Sequence, residues 1–140
     1  MSAQGFNEIL TYSFINQNAF DKLLIEDNSS LRDVIKLKNP LSEQMPEERL
    51  FSSLACFGND EDFYTIKGCV ENISDYFGLD IEIKRGKYPY MHSGRCADIF
   101  CGNDKIGYFG EAHPDVLDNY DIKQRIYIAE IDYDSMKNHI

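Results

Sequence analysis

The polar residues able to do chemistry concentrate between positions 84 and 115: Lys84, Arg85, Lys87, His92, Arg95, Asp98, Glu111, His113 and Asp115. A histidine oriented by a carboxylate is the ordinary general base of a hydrolase. His92 or His113 with Glu111 or Asp98 therefore forms a candidate small-hydrolase pair. No nucleophile accompanies them, since Gly-x-Ser-x-Gly, a P-loop and His-Glu-x-x-His are all absent from the chain. His113 directly before Pro114 reads instead as a helix cap, and Arg95 after Gly94 as one half of a salt bridge across the fold. The run Lys84-Arg85-Gly86-Lys87 could touch a phosphate, but in an acidic chain it reads as a solvated turn.

Four cysteines stand at 56, 69, 96 and 101. His92 with Cys96 and Cys101 makes a zinc site conceivable. On a strand, however, positions five apart point to opposite faces, so the two sulfurs cannot easily share a metal. They read as small buried side chains and, without a secretory signal in the sequence, as reduced thiols. Neither a metal nor a cofactor is expected.

These residues sit in a chain of 140, the size of a single domain, so residues 1–140 are read as one unit. The 14 basic and 24 acidic residues give a formal net charge of −10, the opposite of what a nucleic-acid-gripping surface needs. Nine Phe and nine Tyr suffice for a core. No apolar run approaches the ~18 residues that cross a bilayer. Residues 1–4 lack the basic and apolar regions of a signal peptide, and a cytoplasmic address is expected.

Alternation and turn signals predict strands at residues 6–15, 34–37, 50–57, 81–85, 95–101, 106–109 and 126–131. Asn16 is read as capping a short helix bearing Phe20, Leu23 and Leu24. The clearest helix starts at Asp62, with Phe63, Ile66, Val70, Ile73 and Phe77 on one stripe and Gly78 closing it. Gly68 in its middle suggests that another element packs close there. A short helix follows Pro114, and Asp134 is read as capping a terminal helix from Ser135. Hairpins outnumber βαβ signals, so an α+β fold with a mainly antiparallel sheet and helices on one face is expected.

Five segments, in order, carry a resemblance. Gly5-Phe6-Asn7-Glu8-Ile9-Leu10-Thr11-Tyr12-Ser13-Phe14 resembles the opening of the catalytic-like core in bacterial phenylalanyl-tRNA synthetase β subunits. Lys38-Asn39-Pro40-Leu41-Ser42-Glu43-Gln44-Met45 is similar to that family's NP(I/L)S-x-x-M turn. Asp62-Phe63-Tyr64-Thr65-Ile66-Lys67-Gly68 is similar to its DF-x-x-(L/I)KG helix start. Tyr90-Met91-His92-Ser93-Gly94-Arg95-Cys96-Ala97 resembles its (Y/F)-x-HPGR-(S/C)-A, with Ser93 where proline is usual. Gly107-Tyr108-Phe109-Gly110-Glu111-Ala112-His113-Pro114 resembles its G-x-x-GE-(L/V/I)-HP.

The resemblance implies a class II synthetase-like fold, an antiparallel sheet flanked by helices. It also implies a catalytically silent relative of the α-subunit domain, packed against that subunit in an (αβ)₂ assembly. ATP and magnesium would serve the complete synthetase, tRNA(Phe) would be met only through it, and neither DNA nor a membrane would be bound. The acidic charge fits a core that meets protein. No catalytic residue is expected, because neither the class II motif-2 arginine pattern nor a Gly-x-Gly-x-Glu-Arg-like third motif occurs. Without such arginines nothing offsets the charge that develops on the ATP α-phosphate. The chain also departs from the family: Met45 runs straight into Pro46, so an internal segment near 45–46 is read as missing. The family's tRNA-binding, editing and anticodon-binding modules are likewise not in this sequence.

Overall fold

The computed structural model describes residues 5, 7–9, 18–32 and 51–140. Five strands form one antiparallel sheet: β1 (Phe51–Phe57), β2 (Ile81–Arg85), β3 (Met91–Cys101), β4 (Asp104–Ala112) and β5 (Ile126–Asp132). Their spatial order is β1-β5-β4-β3-β2, with every neighbouring pair antiparallel. The α+β, antiparallel expectation holds for these residues. The strand expected at 34–37 lies outside them, as does the turn-like stretch before position 50. Of the strand expected at 6–15, residues 7–9 carry no regular structure and are exposed, and the remainder lies outside the described residues.

Helix α1 (Asn18–Lys22) ends before the leucines that sequence placed on it, and Leu24 turns the chain with φ 59°. Phe20 and Ile25 are buried, and Asn119 Nδ2 donates to Lys22 O at 3.0 Å, tying this segment to a distant part of the chain. Helix α2 (Phe63–Phe77) matches its sequence signature. The Asp62 carboxylate accepts from Tyr64 N at 2.8 Å and Thr65 N at 2.9 Å, and Gly78 closes the helix at φ 70°. Because β1 and β2 lie at opposite ends of the order of described strands, α2 must run across the sheet face to join them. That face buries Leu54, Ala97, Ile99, Cys101, Phe109, Tyr127, Ala129 and Ile131 under Ile66 and Val70. Each such aliphatic or aromatic side chain contributes about 1.5–3 kcal/mol.

Gly68 differs from expectation. A Cβ built there meets no atom within 4 Å, so nothing among the described residues packs against it, and it opens onto a groove shared with Glu71, Asp75 and Asp80. Helix α3 (Pro114–Asn119) bridges β4 and β5. Helix α4 (Tyr133–Met136) is capped by Asp132, not by Asp134: the Asp132 carboxylate accepts from Asp134 N at 3.0 Å and Ser135 N at 3.2 Å. The reason is that β5 runs one residue past Ile131, which puts the Asp132 side chain where the first helical N–H groups emerge. Met136 then buries against the same sheet face as α2. No helix among the described residues is long and apolar enough to cross a membrane.

Candidate functional site

The fourth and fifth similarity segments meet at one end of the β3–β4 pair. Met91 stands opposite Ala112 and Cys96 opposite Gly110, so residues 92–95 together face Glu111 alone. β3 therefore bows outward over this stretch. Gly110 makes the bow possible: it has φ 155°, and a Cβ there would lie 2.2 Å from Arg95 O and 2.8 Å from Cys96 Cα. Backbone touches backbone at that point, and no larger residue fits.

The bow carries Arg95 to Glu111, where Nη1 stands 3.0 Å from Oε2. The Glu111 side chain is only 4% exposed, and Arg125, just before β5, brings its Nε to 3.9 Å from Oε1. Arg95 Nη1 is off the line of a hydrogen bond, and Oε2 accepts none among the described residues, so the pairing is Coulombic. Burying a carboxylate is tolerable only because these cations are beside it. The Arg95 expectation thus holds, with Glu111 as its partner. Sequence gave no sign of Arg125, whose approach depends on the β4–β5 register that pairs Glu111 with Tyr127.

The hydrolase pair does not assemble. His92 Nδ1 lies 3.1 Å from Gly94 N, and His92 Nε2 lies 3.1 Å from an Arg95 Nη. A neutral imidazole has one lone pair, so these two donors compete for it and the ring is held as a brace of the bow. His113 Nδ1 accepts from Asp115 N at 3.2 Å and caps α3, as its position before Pro114 suggested. Neither histidine forms an ion pair with Glu111 or Asp98. Asp98 instead accepts from Tyr88 Oη and pairs with Lys105 Nζ at 3.0 Å.

The zinc trio does not converge either. Cys101 belongs to the core under α2, whereas Cys96 points to the other face, where its thiol is pushed up to about 11 by burial and then by Asp98. No group of three or more metal-ligating side chains gathers among the described residues. The run at 84–87 is not a turn throughout: Lys84 and Arg85 close β2, Lys84 pairs with Glu82 at 2.8 Å, and Arg85 reaches Ser93 O at 3.4 Å.

Away from α2, sequence reasoning missed a tyrosine cluster. Tyr88 and Tyr108 have ring centroids 4.5 Å apart, and Tyr90 lies 5.4 Å from Tyr88. Tyr108 donates to Glu130 Oε2 at 3.1 Å, while Lys105 Nζ sits 4.7 Å above the Tyr88 ring and bonds its hydroxyl. Burial first, then the neighbouring Asp98, raises the Tyr88 phenol well above its usual range; for Tyr108 burial is followed by Tyr90 and Glu130. The spacing of Tyr88 and Tyr90 hinted at one shared side, but Tyr108 joins them only through strand pairing. What the arrangement provides is a braced sheet end and a packed polar cluster, with no nucleophile set against a base.

A five-stranded antiparallel sheet with α2 and α4 on one face, its strand ends braced by Arg95 and Glu111, defines an α+β domain. Its sequence matches the family model described as phenylalanyl tRNA synthetase beta chain CLM domain over residues 1–54 and 46–133, and the chain belongs to that family. Among curated proteins it is similar to the phenylalanine–tRNA ligase beta subunit of Clostridium acetobutylicum, at 29% identity over 184 residues, covering 99% of this chain and 23% of that protein. The corresponding subunit of Geobacter metallireducens is 29% identical over 192 residues, covering 97% of this chain and 24% of the relative. That of Clostridium tetani is 28% identical over 176 residues, covering 93% and 22%. The chain thus spans about a quarter of the length of these relatives or less.

Proposed function

We propose that the chain is a non-catalytic structural core domain of a phenylalanine–tRNA ligase β subunit. On this reading it has a class II synthetase-like fold and supports the α subunit that charges tRNA(Phe) with phenylalanine in an (αβ)₂ assembly. It holds no cofactor and no metal of its own, ATP and magnesium serving the complete enzyme, and it works in the cytoplasm. The observation that carries the reading is the family match along nearly the whole chain. The site geometry agrees with a silent domain, since His92, His113, Asp98 and Glu111 are each engaged as caps, braces or ion pairs.

An internal shortening near 45–46 is part of the proposal. Two overlapping stretches of the chain match the family model, and the alignment to the C. acetobutylicum subunit runs over 184 residues against a chain of 140. Both are expected when relatives carry residues that this chain skips. The second match resumes just before β1. Phenylalanine-dependent ATP–pyrophosphate exchange tests the silent half of the proposal. The chain alone is expected to give none above a no-protein blank; exchange that survives repurification would overturn it.

A further inference from the structure

Four lysines among the described residues are matched one to one with a carboxylate. Lys84 pairs with Glu82 at 2.8 Å, Lys105 with Asp98 at 3.0 Å, Lys137 with Asp134 at 2.5 Å, and Lys67 with Glu71. The bow in β3 breaks this pattern. Arg95 and Arg125 share the one buried carboxylate of Glu111, and Arg85 reaches only a backbone carbonyl, that of Ser93. Three guanidinium groups against one carboxylate leave a local excess of two positive charges in a chain whose net charge is −10.

The donors are also accessible. The Arg125 side chain is 66% exposed and makes no hydrogen bond among the described residues, and that of Arg95 is 39% exposed. A guanidinium has five N–H groups in a planar fork that matches a carboxylate two by two. Glu111 cannot satisfy both forks, since it is buried beneath them and lies 3.9 Å from the Arg125 Nε. Its role is to fix where they stand, which lowers the ordering cost of binding.

We infer that Arg85, Arg95 and Arg125 form a docking surface for side-chain carboxylates presented by a protein partner. The choice of a protein as the source rests on the proposed function above. It is also favoured by charge, because a nucleic acid draws its affinity from a longer track of cations than three, and the chain as a whole carries a net charge of −10. Glu111 is a positioning residue here, acting through the two arginines.

The test is a titration of the ¹⁵N-labelled full chain with a hexaglutamate peptide, and separately with an oligouridylate, at low salt. It needs no α subunit, so its failure is distinguishable from failure of the proposed function. Hexaglutamate is expected to shift the amides of residues 93–95 and the Arg125 Nε–H signal saturably. R85A, whose exposed side chain bonds only the Ser93 carbonyl among the described residues, is expected to bind about tenfold more weakly with an unchanged melting temperature, the loss of one charge-assisted contact. R125A is expected to bind weaker by a similar factor with a lowered melting temperature, because Glu111 loses a neighbouring cation. Absent shifts, or shifts that R125A and R85A leave as they were, overturn the assignment. Tighter binding of oligouridylate than of hexaglutamate overturns the protein carboxylate as the ligand.

Discussion

Two glycines in the similarity segments carry opposite structural burdens. Gly110 lies where the β3 bow crosses β4, and a methyl group there would sit 2.2 Å from Arg95 O with the backbone at φ 155°. G110A is expected to destabilise the chain by roughly 3 kcal/mol or more, because both contact and conformation are violated. Gly68 meets no neighbour among the described residues, so G68A removes a helix-breaking residue without a clash there. It is expected to stabilise by about 1 kcal/mol. Urea denaturation of the two variants checks both signs. A destabilised G68A would mean that the outer face of α2 is covered after all.

At the level of elements, α2 was legible nearly residue by residue because its signals are local. Asp62 caps, the stripe from Phe63 to Phe77 is apolar, and Gly78 adopts the left-handed conformation that ends the helix. D62A is expected to cost about 1 kcal/mol, read from the same urea transitions, since it orphans the N–H groups of Tyr64 and Thr65. The β3–β4 hairpin was legible at its turn but not at its open end, where residues 91–94 extend β3 through a stretch containing Gly94. What holds them in the strand is the pairing of Met91 with Ala112 and the ion pair to Glu111, both long-range. The same holds for Asp132: its capping role follows from how far β5 runs, which tertiary pairing decides. Likewise Arg95 was recognisable as one half of an ion pair, while Arg125 and the tyrosine cluster needed the sheet to be assembled first.

For the whole molecule, the buried thiols and phenols set an alkaline limit. Burial raises both Cys56 and Cys96 from 9.0 to about 11, and Tyr88, Tyr90 and Tyr108 also move up. A group whose pKa is raised by folding favours the folded state while protonated, and loses that contribution once the unfolded chain ionises first. Stability is therefore expected to be level up to about pH 9 and to fall between pH 9 and 11. Urea midpoints across that range check it, and a midpoint that stays level to pH 11 would show that these groups are not sequestered as described.

The proposal that this chain supports a catalytic partner is best tested by size exclusion with light scattering, on the chain mixed with the α subunit of a phenylalanine–tRNA ligase from the same source. A single peak whose mass contains both chains is the expected result. Separate elution of a folded chain and a folded α subunit would contradict the supporting role.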